Sequence, residues 1–354
     1  MDSWGCLPYV NVSAREIVSM RWSALGSIRA RRWGVLLLVL GIGMGFGMAY
    51  DEYPLRARRR SFVRPYPIRV ASASYRFVHP LLGYELPQRG HVEPYRAIRQ
   101  AADAAIADTV HRRTAATVSL YYRDLNSGSW FGIDEQHAYA PASLAKVPLM
   151  IAYFKMAERD PEILTHRIRF SRPFADAPAQ RIVPGAQLVI GQSYTVEELL
   201  RFMIVHSDNN AAFLLQTSAA PEALTAVYAD LNIDPPDFRD PNGTMTPETF
   251  SRFFRFLYNG TYLSPEFSER ALTLLSGVEF DRGLRVGVSA AIPVAHKFGE
   301  RYAEHAMLGT PPAQLHDCGI VYHPDRPYLL CVMTSGNTID ALAAVIAQVS
   351  AEVY

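Results

Sequence analysis

Apolar and polar residues alternate in two short stretches on either side of a turn. Val118, Leu120 and Tyr122 occupy every second position, and a second apolar stretch at 130–133 follows the turn sequence Asn-Ser-Gly. A period of two is typical of a half-buried strand, and Asn-Ser-Gly favours a tight turn. We therefore predict a hairpin whose second strand leads into the apolar run that begins at Ala142.

Longer stretches repeat their apolar residues every three to four positions, which is typical of helices that bury one face. Helices are predicted at about 94–112, from Ser143 through Phe154, at 195–206, from Asn210 onward, at 246–259, at 264–277 and at 339–353. Strand-like runs lie at 293–300, 318–322 and 328–334. Strands at both ends with helices between them predict an α+β domain, in which the N- and C-terminal strands share one antiparallel sheet packed with a helical subdomain.

The N-terminal region has a different pattern. Residues 33–50 are eighteen positions without a charge, long enough to cross a bilayer, and we interpret them as a transmembrane signal anchor. The alternative is a signal peptide that is removed, because residues 47–49 have the small-x-small form of a cleavage site. The chain is then divided into a basic N-terminal segment (1–32), the anchor (33–50), an Arg- and Pro-rich linker (51–91) and one domain (92–354).

Charge and cysteine content narrow the function further. A formal charge of +1 gives no basic excess that would favour a nucleic-acid partner. The three cysteines are too few for a disulfide scaffold, and no Cys or His spacing predicts a metal site. Cys318 and Cys331 fall in neighbouring strand-like runs, where a cross-strand disulfide and two buried thiols are both consistent with the sequence. We interpret His206, His296 and His316 as structural.

Ser143 and Lys146 are three residues apart at the start of the central helix, so they share one face. A serine hydroxyl needs a nearby base to become a nucleophile, and a buried lysine with a lowered pKa can be that base. Of the 35 Lys and Arg residues only Lys146, Lys155 and Lys297 are lysines. Because arginine cannot give up its proton and lysine can, the use of lysine here makes the pair a candidate activated nucleophile.

Two further polar motifs follow the Ser-Lys pair. The first is Ser207-Asp208-Asn209 in a turn between two predicted helices, and the second is Lys297-Phe298-Gly299 on a predicted strand. In order, spacing and context the three motifs resemble those of the serine β-lactamase and penicillin-binding-protein superfamily, most closely the class A β-lactamases. The resemblance covers roughly residues 92–354. It implies a β-lactamase/DD-peptidase-like fold with the active site between a helical and a sheet subdomain, and it implies no cofactor.

By this resemblance, Ser143 is the acylated nucleophile and Lys146 accepts its proton, directly or through water. Ser207 relays a proton to the leaving nitrogen. The backbone N–H groups of Ser143 and Glu300 form the oxyanion hole, which needs no particular side chain and therefore leaves no sequence signature.

The resemblance also implies a set of substrate contacts. Asn209 holds Lys146 and the amide side chain of the substrate, while Lys297 attracts the substrate carboxylate and Phe298 and Gly299 belong to the same wall. Phe298 departs from the family, which has a threonine or serine there whose hydroxyl binds the substrate carboxylate. We therefore expect substrate affinity or substrate choice to differ from that of the family.

A second departure concerns hydrolysis of the acyl-enzyme. Class A enzymes carry a Glu-x-x-Leu-Asn segment whose glutamate activates the deacylating water, and the interval 231–247 lacks it. Asp234, Asp237 and Asp240 are acidic but have a shorter side chain, and Glu248 lies on the next predicted helix. None of them matches the deacylation base of the family, so acylation is expected to be faster than deacylation.

The sequence thus predicts a serine hydrolase of class A β-lactamase type that forms an acyl-enzyme with β-lactams or with related peptidoglycan acyl-D-Ala substrates. Two alternatives stay open. One is a D-alanyl-D-alanine peptidase or esterase, which shares the acylation step, and the other is a non-catalytic wall-binding protein that kept the fold. The expected location is the cell membrane, single-pass, with the catalytic domain outside the cytoplasm, because such substrates are found there.

Overall fold

The computed structural model describes residues 66–69, 75–85, 95–174, 180–218, 221–237, 245–302 and 312–354. Within these ranges, no helix has both the length and the apolar character needed to cross a membrane. The predicted anchor at 33–50 lies outside the described residues, and so does Asp240.

Helices and strands make up most of the described chain. The helices are α1 (Arg96–His111), α2 (Lys146–Ala157), α3 (Val196–Val205), α4 (Asn209–Ser218), α5 (Pro221–Asp230), α6 (Pro247–Asn259), α7 (Pro265–Ser276) and α8 (Ile339–Val353). The strands are β1 (Tyr66–Arg69), β2 (Leu81–Glu85), β3 (Thr117–Asp124), β4 (Trp130–Ile133), β5 (Arg167–Arg169), β6 (Ser193–Thr195), β7 (Val294–Tyr302), β8 (Ala313–Val321) and β9 (Tyr328–Gly336). Short 3-10 turns lie at Ala142–Ala145, Pro161–Thr165 and Leu284–Gly287.

The main sheet has five strands in the order β4-β3-β9-β8-β7, and all neighbours are antiparallel. β3 pairs with β4 on one side and with β9, from near the C-terminus, on the other. The pairs β1-β2 and β5-β6 form two separate small sheets, which were not predicted. The α+β prediction, with N- and C-terminal strands in one antiparallel sheet, is therefore confirmed.

The predicted hairpin forms the outer pair of this sheet. Leu120 pairs with Ile133 and Arg123 with Trp130. Gly128 in the connecting turn has φ 70°, a left-handed conformation that glycine adopts without a steric cost. Alternation of apolar residues and the glycine in the turn were therefore sufficient to locate both strands.

The boundaries of α3 and α6 agree with the helices predicted at 195–206 and 246–259, and each helix is capped by the threonine at its start. The Thr195 side chain accepts the N–H of Glu198, and the Glu198 carboxylate accepts the N–H of Thr195, so that each satisfies a free donor of the first turn. The Thr246 side chain accepts the N–H of Thr249 at the start of α6, and Gly260 ends that helix with φ 56°. These local hydrogen bonds explain why sequence alone located the helix ends.

The central helix α2 begins later than predicted. Ser143 lies in the 3-10 turn Ala142–Ala145, and α-helical pairing starts at Lys146. Pro148 is the reason, because it has no N–H to donate to the carbonyl of Leu144 and so cannot extend the α-helix back over that turn. Ten of the twelve residues of α2 are buried, which makes it the central helix of the helical subdomain.

Two other features link distant parts of the chain. Cys318 on β8 stands opposite Cys331 on β9, and the two buried residues form a disulfide, the first of the two alternatives left open by the sequence.

Phe77 and Val78, which belong to the Arg- and Pro-rich stretch, are buried in the core. The carboxylate of Glu269 on α7 accepts both of their N–H groups at 2.8 and 2.9 Å.

Candidate active site

The predicted nucleophile, Ser143, is half-buried in the turn that precedes α2. Ala142 has φ 47°, and a left-handed conformation costs a residue other than glycine about 1–3 kcal/mol. The carbonyl of Pro141 accepts the N–H of Leu144 at 3.0 Å, which keeps the turn tight. Backbone strain persists where the surrounding packing imposes it, and here it falls directly beside the predicted nucleophile.

Lys146 is almost completely buried, with 6% of its surface exposed. Its Nζ donates to the carbonyl oxygen of Ser207 at 2.6 Å, to Ser207 Oγ at 3.2 Å and to Asn209 Oδ1 at 2.7 Å. These contacts hold the amine at the junction between the start of α2 and the Ser-Asp-Asn turn.

The environment of Lys146 favours a neutral amine. Burial lowers the pKa of Lys146 to about 7, although the negative charges of Asp208 and Glu300 act in the opposite direction. About half of the amines with this pKa are neutral at pH 7 and can accept a proton, whereas an ordinary surface lysine is almost fully protonated there. The structure therefore gives Lys146 the lowered pKa that the sequence predicted for it.

The Ser-Asp-Asn motif occupies the turn between α3 and α4, as predicted. Ser207 has φ 55°, a second strained residue at this site. The buried carboxylate of Asp208 accepts the N–H groups of Ala211 at 2.9 Å and of Leu188 at 3.3 Å. Asp208 therefore caps α4 and fixes the turn, which leaves Ser207 and Asn209 facing Lys146.

Lys297 lies on β7 and is fully buried. Its Nζ donates to Ser207 Oγ at 2.9 Å and to the carbonyl oxygen of Phe298 at 3.0 Å. Burial and the positive charge of Lys146 lower the pKa of Lys297 well below its ordinary value. The hydroxyl of Ser207 is thus hydrogen-bonded to two lysine amines, which can pass a proton through it.

Phe298 and Gly299 have separate structural reasons for their positions. The ring of Phe298 is 4% exposed, stacks on Phe280 with 4.4 Å between centroids and lies 4.1 Å from Lys297 Nζ. A β-carbon at Gly299 would lie 2.9 Å from the carbonyl oxygen of Pro141 and 3.0 Å from the nitrogen of Leu144. Glycine therefore allows β7 to pack closely against the turn that carries the predicted nucleophile.

Glu300 follows Gly299 on β7, and its side chain is half-buried. Its Oε1 accepts the backbone N–H groups of Arg181 at 3.1 Å and Ile182 at 2.9 Å. Its Oε2 is buried and has no hydrogen-bond partner among the described residues. Burial raises the pKa of the Glu300 carboxyl, and the two N–H donors act against this rise.

The structure therefore brings the three predicted motifs into one cleft. The amine of Lys146 is hydrogen-bonded to the turn 207–209, Lys297 on β7 is hydrogen-bonded to Ser207, and β7 packs at Gly299 against the turn with Ser143. We call the turn with Ser143 the floor of this cleft, and the turn 207–209 and the strand segment 297–300 its two walls. Chemically, this arrangement can activate a serine hydroxyl and carry a proton along a chain of amines and hydroxyls. In the described part of the chain, no group of three or more His, Cys, Asp or Glu residues could hold a metal ion.

Comparison with known proteins identifies the family. The model of the beta-lactamase enzyme family matches residues 101–354 of this chain. The chain belongs to this family. A β-lactamase of Streptomyces fradiae is 24% identical over 268 residues, which cover 72% of this chain and 84% of the relative. A β-lactamase of Streptomyces lavendulae is 25% identical over 247 residues, which cover 65% of this chain and 77% of the relative.

Solved structures show the same fold. A mutant of PBP-A, solved as an acyl-enzyme complex with penicillin G, has a TM-score of 0.60 at 22% identity and covers 74% of this chain and 98% of its own. A variant of the last common ancestor of Gram-negative class A β-lactamases has a TM-score of 0.58 at 25% identity and covers 72% of this chain and 97% of its own. The β-lactamase and penicillin-binding-protein fold implied by the motifs is therefore confirmed.

In this β-lactamase family member, the acidic residues considered for deacylation lie in varied surroundings. Asp234 and Asp237 are exposed. Glu248 is half-buried; its Oε2 accepts the side-chain amide of Gln136, and its Oε1 lies 3.7 Å from Arg252. None of these three carboxylates contributes to the shifted pKa of the base.

The histidines have structural partners. His296 and Asp317 form a buried pair at 2.8 Å, and burial lowers the pKa of His316 to about 4. The contacts are His206 Nδ1 with Glu279, His296 Nδ1 with Asp317, and His316 Nε2 with the carbonyl oxygen of Ala140.

Sequence reasoning missed two side chains at the β-lactamase-like cleft. Gln180 donates from Nε2 to the carbonyl oxygen of Ser207 at 3.0 Å, and nothing in the sequence around it indicates this. The side chain of Glu300 was also missed, although a carboxylate directly after a Lys-Phe-Gly strand motif was a usable signal. Both residues gain their importance from segments that are far apart in the sequence.

Proposed function

We propose that this β-lactamase family member is a serine hydrolase that forms an acyl-enzyme at Ser143 with β-lactams or with peptidoglycan-derived acyl-D-Ala substrates. The observation that carries the proposal is the buried amine of Lys146, whose pKa of about 7 suits a general base. Ser207 and Asn209 accept hydrogen bonds from this amine, and Lys297 donates to the same Ser207 hydroxyl, as expected of a proton relay.

Acylation begins with a proton transfer. Lys146 Nζ takes the proton of Ser143 Oγ, and the oxygen attacks the carbonyl carbon, whose developing negative charge is held by the N–H groups of Ser143 and Glu300. The carbon–nitrogen bond then breaks. Ser207 Oγ gives its proton to the leaving nitrogen and regains one from Lys146, which returns to the neutral amine.

The alternative of a non-catalytic wall-binding protein is less well supported. Such a protein would need no neutral amine, and burying two lysines side by side lowers the stability of the fold because each charge must be removed from water. A D-alanyl-D-alanine peptidase or esterase uses the same acylation step. It is favoured over a fast β-lactamase by the interval 231–247, which lacks the Glu-x-x-Leu-Asn segment of the class A enzymes.

Covalent labelling tests the proposal. The full chain incubated with benzylpenicillin should gain the mass of one penicilloyl group, and peptide mass spectrometry should place it on Ser143, because the residues required for acylation are assembled there. Ser143→Ala is the matched control and should gain none. Equal labelling of both proteins would show that the nucleophile is assigned wrongly, and labelling of neither would favour the wall-binding alternative.

We further propose that the domain lies outside the cytoplasm and is attached to the membrane by residues 33–50. An alkaline phosphatase fused after Tyr354 should be active in cells, because this reporter works only after export, whereas a cytosolic reporter at the same site should be silent. The control fusion lacks residues 33–50 and should lose phosphatase activity. The opposite pattern in the two full-length fusions would reverse the orientation and remove wall substrates from the proposal.

A further inference from the structure

The segment 180–182 runs between the two walls of the cleft, and we name it the cross-cleft bridge. At one end, Gln180 Nε2 donates to the carbonyl oxygen of Ser207 at 3.0 Å. The same carbonyl oxygen accepts a hydrogen bond from Lys146 Nζ at 2.6 Å. This end of the bridge is therefore attached to the wall that carries the proton relay.

The other end of the bridge is attached to β7. Oε1 of Glu300 accepts the backbone N–H groups of Arg181 at 3.1 Å and Ile182 at 2.9 Å, and a hydrogen bond to an ionised carboxylate is about twice as strong as a neutral one. The guanidinium of Arg181 also lies over the ring of Tyr302, 4.2 Å from its centroid. Two kinds of contact thus hold the bridge to this strand.

Glu300 places this attachment beside the reaction centre. It directly follows Gly299, whose backbone packs against the turn that carries Ser143. The Glu300 carboxylate is close enough to the amines of Lys146 and Lys297 for its negative charge to raise the pKa of both. The bridge therefore joins two elements that border the predicted nucleophile: the turn 207–209, which contacts Lys146, and β7, which packs against the turn with Ser143.

We propose that the Glu300 side chain is a specificity-determining residue, which limits the size of acyl donors by anchoring the cross-cleft bridge to β7. The proposal rests on the proposed function for the role of Ser143. The anchored bridge selects compact acyl donors, such as β-lactams with a small side chain, over donors with a bulky side chain. The carboxylate acts here as a hydrogen-bond acceptor that fixes the width of the opening.

Two substitutions of Glu300 distinguish the loss of the hydrogen-bond acceptor from the loss of the negative charge. Glu300→Ala removes the acceptor and frees that end of the bridge, while its backbone N–H stays in place. Glu300→Gln removes the charge but keeps an amide oxygen that can accept the same two N–H groups. A third variant, Tyr302→Leu, removes the ring beneath Arg181, and Tyr302→Phe keeps that ring.

The size of the opening can be measured without any hydrolase activity. In the full chain with Cys6→Ser, Ser143→Cys places one thiol in the cleft, and its alkylation by iodoacetamide and by fluorescein maleimide reports entry of a small and a bulky reagent. The Cys6→Ser chain with serine at 143 is the blank for the remaining pair, Cys318 and Cys331, which are buried in a disulfide.

Glu300→Ala should raise the rate for the bulky reagent relative to the small one by about tenfold or more, because opening the intact bridge breaks two charge-assisted hydrogen bonds. Glu300→Gln should stay within about threefold of the parent ratio, because the two N–H groups keep an acceptor. Tyr302→Leu should change the ratio in the same direction as Glu300→Ala, and Tyr302→Phe should not.

Acylation provides the second readout. With serine at 143, Glu300→Ala should raise the ratio of acylation rates for a dye-linked penicillin against benzylpenicillin, and Glu300→Gln should restore the parent ratio. Absence of acylation in every protein, with the thiol ratios as expected, would contradict the proposed function and leave the bridge supported. Unchanged ratios in Glu300→Ala, or equal increases in Glu300→Ala and Glu300→Gln, would overturn the bridge proposal.

Discussion

Replacing Lys146 by arginine is expected to slow acylation of Ser143 by about two to four orders of magnitude, nearly as much as replacing it by alanine. Arginine keeps the positive charge but cannot accept a proton at any accessible pH, so it tests whether the residue acts as a base. The measurement is the second-order rate of penicilloyl adduct formation, followed by intact mass.

The chain offers a matched control for this substitution. Lys155 lies on the same helix, where its Nζ donates to Glu158 Oε2 at 2.8 Å and to the carbonyl oxygen of Tyr262 at 2.7 Å. Lys155→Arg keeps the charge at a site without a proposed role in proton transfer, so its acylation rate should equal that of the wild type. An active Lys146→Arg enzyme would show that the residue supplies only charge.

The pH dependence follows from the same pKa. Lys146 must be neutral to accept a proton, and its pKa is about 7, so the acylation rate should rise as the pH increases through about 7 and level off above it. A lysine of ordinary pKa would instead give a rate that still rises near pH 10. A flat profile from pH 5 to 9 would contradict the assignment of Lys146 as the base.

A β-lactam is expected to give a burst of one product per enzyme, followed by turnover that is slower by about a hundredfold to ten-thousandfold than with a well-placed base. Hydrolysis of the acyl-enzyme ester needs a positioned water and a group that takes its proton. The interval 231–247 lacks the Glu-x-x-Leu-Asn segment of the class A enzymes, the carboxylate of Glu248 is hydrogen-bonded to Gln136, and the carboxylate of Asp208 is occupied as a helix cap. Stopped-flow hydrolysis of a chromogenic cephalosporin measures both phases.

Steady turnover of tens per second without a burst would contradict this expectation and would mean that a base is present. Single substitutions would then identify the base. The substitution that removes it would abolish the steady phase and leave the burst unchanged. The variants are Asp234→Asn, Asp237→Asn, Asp240→Asn, Glu248→Gln and Glu300→Gln, with Lys155→Arg as the control.

Much of the fold was predictable because its signals are local. Alternating residues in β3 and β4, the capping residues Thr195 and Thr246, and the glycine after α6 specify elements through hydrogen bonds within a few residues. The start of α2 was misplaced because Pro148 acts through one missing hydrogen bond, which an apolar pattern does not record. The small sheet β5-β6 was missed because its strands of three residues are too short to show a period.

The sequence by itself also determined the candidate catalytic residues, since Ser143, Lys146, Ser207, Asn209 and Lys297 lie in three short motifs whose order is recognisable. Only the tertiary structure decided what those residues can do. The lowered pKa of Lys146 results from burial among segments some sixty and more residues away, and the bridge depends on Glu300 meeting the N–H groups of Arg181 and Ile182 more than a hundred residues earlier. Desolvation and long-range hydrogen bonds depend on which surfaces meet in space, and a linear pattern carries no record of that.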